Sequence, residues 1–335
     1  MKYPMGSFAR HRLIESRSST PAWKEKYLVC QRATRDEAPA ISQPATIFSP
    51  KIGRDIHVMS EAEGRVILAA LYSPNLVDIN EQRPLSIFPS ENPLAGHPET
   101  AGMTLMPVRG TAYVAEELDM YDRHPRIREG KTKLVGGKTV DNPHHEMSGK
   151  LTYYLSDALV ILRDKDGVYA VNWNIKPEME AFFNRKYYSS MRRIRQANNK
   201  MNEDDSRHRL EEVYYLDAEI RTERIAASSM DGMVSANLEL LVCYAAQKEP
   251  LQYQEKLAMI KLYSEAFENR TTVLSMFDAL SKKFGCKRQA CLTVFYQAIW
   301  HRLLRVDLFQ PILVDKPLVR ESRDVLDVYA AWFRR

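Results

Sequence analysis

The stretch LSDALVILRDKDGVYAVNWNIKP, residues 155–177, leaves this chain few ways to fold. Two apolar runs, 155–163 and 168–175, flank the four residues DKDG, with glycine in the last place. Short runs rich in Val, Ile and aromatics, joined by such a turn, pair as an antiparallel hairpin. With Arg163 opposite Val168, Asp157 falls opposite Asn174. Side chains alternate along a strand, so Tyr169, Val171, Trp173 and Ile175 make one apolar face. Asn174 and Lys176 share the other face, next to Asp157. A lysine ending an apolar strand, directly before Pro177, needs either solvent or a function.

The three residues suit metal-assisted phosphodiester hydrolysis. An Asp carboxylate binds a hard cation such as Mg²⁺, with Mn²⁺ a substitute. A metal there activates water and neutralises charge on the phosphate, and a neighbouring ammonium stabilises the transition state. A further carboxylate has to come from elsewhere, and Glu63 is the candidate. It lies in HVMSEAEGRVILAALYSP, where Ser60 is a good N-cap and Val66, Ile67, Ala70 and Leu71 give a helical apolar face. Within Ser-x-x-Glu, the pattern alone favours reading Glu63 as a capping-box residue.

Around this centre the periodicities predict an α/β chain. NLVDINEQRPL reads as a strand, LEEVYYLDAEIRTERI as a helix then a strand, and MVSANLELLVCYAAQ as a helix. Residues 1–45 read as a basic arm or small helical element with a Pro/Ser-rich linker. Residues 46–247 form the expected catalytic domain, with a long irregular insertion at about 86–150. From 248 to 335 three helical patterns precede RVDLFQPILVDKPL, a candidate β-hairpin, which together suggest a winged-helix-like module. DNPHHE, residues 141–146, reads as a surface loop, with metal ligation the alternative.

At 335 residues the chain suffices for about two domains. With no apolar run of 18 residues or more, no membrane span is expected, and the N-terminus lacks the apolar core of a signal peptide, so the cytoplasm is the expected compartment. Cys30, Cys243, Cys286 and Cys291 form no zinc or redox motif and read as reduced thiols. The net charge of +5 is modest; its distribution says more. Residues 181–200 hold six Lys/Arg and no acid, as do residues 281–305, and RHPRIREGKTKLVGGK (123–138) is a basic loop. Three such segments suit a phosphate-backbone partner. They nominate Arg126, Arg128, Lys131 and Lys133 in the loop, and Arg185, Lys186, Arg192, Arg193 and Arg195 in a basic helix where Tyr187 and Tyr188 pack or touch DNA.

The combination D…N-x-K at a hairpin end, with a Glu on a preceding helix, resembles the restriction-endonuclease-like nucleases. More narrowly, the chain is similar to the TnsA endonuclease subunits of heteromeric bacterial transposases. FSPKIGRDIHVMSEAE, LVDINEQRPL, LSDALVI and NIKP carry the likeness, in that order, over about residues 47–246. The resemblance implies a restriction-endonuclease-like mixed sheet flanked by helices, with Glu63 and Asp157 binding metal and Lys176 catalytic. Asn174 stands where these nucleases usually carry Glu or Gln, a neutral and shorter ligand, and the Ile175 carbonyl would share its load. Lys51, Arg54, His57 and Gln82 of the matching segments are implied DNA contacts. The implied activity is Mg²⁺-dependent cleavage of the 5′ strand at transposon ends. The implied partners are transposon-end DNA, a TnsB-like recombinase subunit and a TnsC-like AAA+ ATPase, in a bacterial, nucleoid-associated complex. The alternative is a catalytically weakened DNA-binding or assembly subunit on the same fold. A stand-alone restriction-type nuclease is a third reading.

Overall fold

In the computed structural model, residues 8–19, 22–39, 42–127, 132–135, 138–141, 150–183 and 206–335 are described. The expected hairpin is the centre of the molecule. Strands β6 (Ala158–Asp164) and β7 (Gly167–Lys176) pair antiparallel, with Arg163 opposite Val168 and Ala158 opposite Trp173. Asp164 closes the turn by accepting from the Asp166 N–H at 2.8 Å. Gly167 leaves the turn at φ +112°, a backbone conformation that costs a residue without Cβ little.

Strand β3 (Leu76–Glu81) adds antiparallel to β6, and β8 (Arg221–Ala226) adds parallel to β7. The result is a mixed four-stranded sheet in the order β3-β6-β7-β8. A separate ribbon pairs β1 (Ala45–Ser49) with β2 (Arg54–Val58). Another pairs β4 (Thr132–Val135) with β5 (Lys138–Asp141), so Lys133 sits on a strand.

Both sheet faces are covered. On one, Val160, Leu162, Val171, Trp173 and Ile175 pack with Val66, Ile67 and Ala70 of helix α2 (Glu61–Tyr72). On the other, Leu159, Ile161, Val168 and Ala170 pack with Leu210, Tyr214 and Tyr215 of α4 (Ser206–Asp217). Helix α3 (Thr111–Glu117) adds Val114 and Ala115 to that second core. The segment 86–150, expected to be irregular, therefore contributes to a structural layer. An 11-residue helix, α1 (Phe8–Ser18), forms in the N-terminal arm.

The C-terminal region is helical, with α5 (Gly232–Ala245), α6 (Tyr253–Glu268), α7 (Val273–Phe284) and α8 (Arg288–Trp300). It departs from the expected separate module in two respects. Its apolar residues, among them Met259, Phe295 and Trp332, belong to the same hydrophobic cluster as Trp173 and Val171. The buried Trp173 indole donates to the Trp332 carbonyl at 2.7 Å, tying the C-terminal segment to the sheet. The expected hairpin over 305–318 is also not formed. One antiparallel bridge, Val306 to Arg320, is present, because Pro311 and Pro317 remove ladder donors where strands would run. No described helix is long and apolar enough to cross a membrane. The four cysteines are free, and Cys286 and Cys291 lie with their sulfurs 3.6 Å apart.

Candidate active site

The N-terminus of α2 and the C-terminal end of the inner strand β7 meet at the end of the hairpin away from its turn. Ser60, extended at φ −148°, caps α2 by accepting from the Glu63 N–H at 3.2 Å. The Glu63 carboxylate is held in turn: Oε2 accepts from the Met59 N–H at 2.8 Å and Oε1 from the Ser60 hydroxyl at 3.0 Å. Capping and site-building are thus not alternatives for Glu63. The cap fixes its rotamer, and the carboxylate, 9% exposed, lines a cavity of about 480 Å³ together with Asp157.

Gln82 bridges the two elements. Its backbone N–H donates to the Asp157 carbonyl at 3.0 Å and its side chain to Glu63 Oε2 at 3.3 Å. It does so at φ +50°, a conformation a non-glycine residue holds only when its surroundings impose it. Gln82 is therefore part of this buried site, not a solvent-facing DNA contact.

Asp157 is anchored at Oδ2 by the Ile175 N–H at 2.8 Å and by Lys176 Nζ at 3.2 Å. Lys176 donates also to Asn174 Oδ1 at 3.3 Å and to the Ile175 carbonyl at 2.9 Å. An ammonium has three N–H donors, and here three acceptors converge on it. Asp157, Asn174, Ile175 and Lys176 come together as the register required, and Glu63 joins them across the cavity.

Helix α4 brings two further residues, His208 and Glu211. Asn174, 2% exposed, donates from Nδ2 to His208 Nδ1 at 2.7 Å and to Glu211 Oε2 at 3.2 Å. Asn172, fully buried, donates to Glu211 Oε1 at 2.9 Å. The sequence carried a signal for them: two asparagines on one face of a core strand need buried partners. It did not say which helix supplies them.

Charge is unbalanced here. Two buried carboxyls, Glu63 and Glu211, and the partly exposed Asp157 cluster about Lys176, with Arg207 also acting on Asp157 and Glu211. Burial and the Asp157 charge push Glu63 up to about 8 and Glu211 up to about 7. Burial also works to raise Asp157, but Lys176, Arg207 and the Ile175 N–H hold it below the ordinary carboxylate value. A divalent cation would relieve this repulsion, because it binds carboxylates and displaces their protons. Among the described residues no three acidic, His or Cys side chains are grouped to hold a metal alone. A metal there would draw on Glu63 and Asp157, which line the cavity, and on two neutral oxygens that now accept from Lys176, Asn174 Oδ1 and the Ile175 carbonyl. Arg10, Arg123 and Arg207 line the same cavity.

The other expected DNA contacts fall into three groups. Arg54 is turned inward, paired with Glu81 at 2.7 and 2.8 Å and stacked on Tyr27. A guanidinium so enclosed is a structural group, which corrects its expected surface role. Lys51 donates to the Ser73 and Pro74 carbonyls beyond α2, and half-buried His57 accepts from the Ala33 N–H. Arg126 lies over the Tyr121 ring at 5.3 Å. Arg128, Lys131, Arg185, Lys186, Tyr187, Tyr188, Arg192, Arg193 and Arg195 lie outside the described residues, as do 142–146 of DNPHHE; for Lys133 the backbone alone is described.

Compared with known proteins, the chain matches no family model and no curated protein.

Proposed function

We propose that this chain is a metal-dependent DNA endonuclease acting as the strand-cleaving subunit of a heteromeric transposase. The observation that carries the hydrolytic part is the cluster of Glu63, Asp157 and Glu211 about Lys176, of which Glu63 and Asp157 face a cavity lined by arginines. The transposase part rests on the ordered segments FSPKIGRDIHVMSEAE, LVDINEQRPL, LSDALVI and NIKP.

Glu63, Asp157, Asn174 Oδ1 and the Ile175 carbonyl would hold Mg²⁺, which supplies a Lewis acid and an activated water when bound. The rest is chemistry of the chain. Arg10, Arg123 and Arg207 attract the phosphate backbone to the cavity. Lys176 exchanges one of its three internal acceptors for a non-bridging phosphate oxygen, where negative charge grows during attack. Asp157, anchored by the Ile175 N–H, keeps that ammonium at the strand end. Pro177 ends β7 and prevents the strand continuing past the site.

The test is nicking of DNA carrying the element's own ends, in Mg²⁺, with the recombinase and ATPase subunits present. Asp157→Ala and Lys176→Ala are each expected to abolish 5′-strand nicking with the circular-dichroism spectrum unchanged. Nicking that survives both changes overturns the endonuclease reading. Unaltered chain that assembles on the ends without nicking them favours the assembly-subunit reading, and nicking of naked DNA without partners favours a stand-alone nuclease.

A further inference from the structure

Asn174 is the position where the site departs from the acidic or longer residue its relatives by resemblance carry, and its surroundings show how an amide is put to use there. An amide nitrogen only donates and an amide oxygen only accepts. Nδ2 faces two acceptors, His208 Nδ1 at 2.7 Å and Glu211 Oε2 at 3.2 Å, while Oδ1 faces the Lys176 ammonium at 3.3 Å. Turning the amide over would set its oxygen against a carboxylate and its nitrogen against an ammonium. The partners therefore dictate the orientation. Because Nδ2 cannot accept, His208 Nδ1 is the bare nitrogen and the ring proton sits on Nε2.

The ring that provides this acceptor is itself fixed. His208 is buried and meets Phe182 edge-on at 5.1 Å. His208 and Glu211 are three residues apart on α4, so they project from one helix face, and the second Glu211 oxygen is occupied by Asn172.

We propose that His208 is a positioning residue of the candidate site, holding the Asn174 amide so that Oδ1 faces Lys176 and is offered as a neutral oxygen ligand. The proposal rests on the metal-dependent reading above. Groups that orient metal ligands from behind typically change metal affinity by about 10–100-fold when removed. His208 plays that part for a ligand whose two ends differ, where a carboxylate would need no orienting.

The experiment measures Mn²⁺ binding to the full chain by electron paramagnetic resonance, without DNA, and follows the side-chain amide resonances of Asn174 in ¹⁵N-labelled, metal-free protein. His208→Leu removes the acceptor; His208→Gln returns one. The Leu variant is expected to bind Mn²⁺ about 10–100-fold more weakly and to shift the Asn174 amide signals. The Gln variant is expected to stay close to the unaltered chain in both. Should His208→Leu fail to fold, His208→Met, a weak acceptor closer in shape to the ring, takes its place with the same expectation. Equal Mn²⁺ affinity in the Leu, Gln and unaltered proteins, with Asp157→Asn abolishing binding, overturns the positioning role and leaves the metal site standing. Absence of any Mn²⁺ site that Asp157→Asn removes overturns the metal-dependent reading itself, and this proposal with it.

Discussion

Two buried centres pair a cation with a carboxylate, and they differ in whether the pairing is complete. At the junction of β2 and β3, Arg54 meets Glu81 through two hydrogen bonds. Its other donors reach the carbonyls of Lys24, Asp55 and Ile79, and its plane lies over Tyr27 at 4.8 Å. Glu81 also accepts from the His57 N–H at 3.0 Å. A second buried carboxylate there, Asp78, is raised by burial but held by the Lys24 and Ile79 N–H groups at 2.7 and 2.8 Å. At the end of β7, one lysine stands among Glu63, Asp157 and Glu211, and two of those carboxyls are pushed well above their ordinary range. A saturated pair of this kind fixes the chain; an under-neutralised one is poised for something added. The sequence does not separate the two, since Arg54 and Lys176 are both basic residues within or beside apolar strands.

The sharpest way to break this comparison is Arg54→Ala. It strands the buried Glu81 carboxylate, so a loss of about 3–5 kcal/mol in urea unfolding is expected. A change below about 1 kcal/mol would show that the pair is solvated and not closed. Next is Asp157→Asn at the open centre. Nicking is expected to fall by about 100-fold or more, with a loss of stability smaller than that of Arg54→Ala, because the lost pairing with Lys176 is partly offset by relief of Glu63 and Glu211. A large loss of stability would place Asp157 with the structural pair.

The pH response should differ in the same way. Glu63 and Glu211 have folded values of about 8 and about 7, above the ordinary 4.5. The folded state thus binds more protons than the unfolded state between about 4.5 and those values, and stability falls as pH rises through that window. Asp157 shifts the opposite way, so its contribution is lost as pH drops below about 4. Thermal melts in EDTA should therefore show a falling midpoint from pH 5 to pH 8. Glu63→Gln should flatten that slope and added Mn²⁺ should reduce it. An unchanged slope in Glu63→Gln would assign the dependence to other groups.

The smallest expected effect joins helix and site. Ser60→Ala removes the N-cap of α2 and one donor to Glu63, at a cost of about 1 kcal/mol. If the cap also aims Glu63, Mn²⁺ affinity falls along with stability. A loss of stability alone would leave Met59 and Gln82 as the groups that orient the carboxylate.

Much of the fold was legible in the chain, because it rests on local pattern. The hairpin register followed from DKDG and the alternation of residues 168–175, and it brought Asp157 beside Asn174 and Lys176. Ser60 gave the start of α2. The errors came where contacts between distant segments decide the outcome. The sharing of one core between Trp173 and Trp332, the failure of the 305–318 hairpin, and the inward turn of Arg54 each depend on partners remote in sequence.

The same division runs through the site. By itself the sequence determined the hairpin-end residues Asp157, just before β6, and Asn174 and Lys176 on β7, because a period of two and a fixed turn convert spacing directly into position. Only the tertiary structure decided that His208 and Glu211 stand behind them, and that the Glu63 cap also faces the cavity. Helix α4 docks on β7 through Leu210, Tyr214 and Tyr215, and that apolar contact, carrying no trace of the chemistry, sets which of its polar side chains meet Asn172 and Asn174.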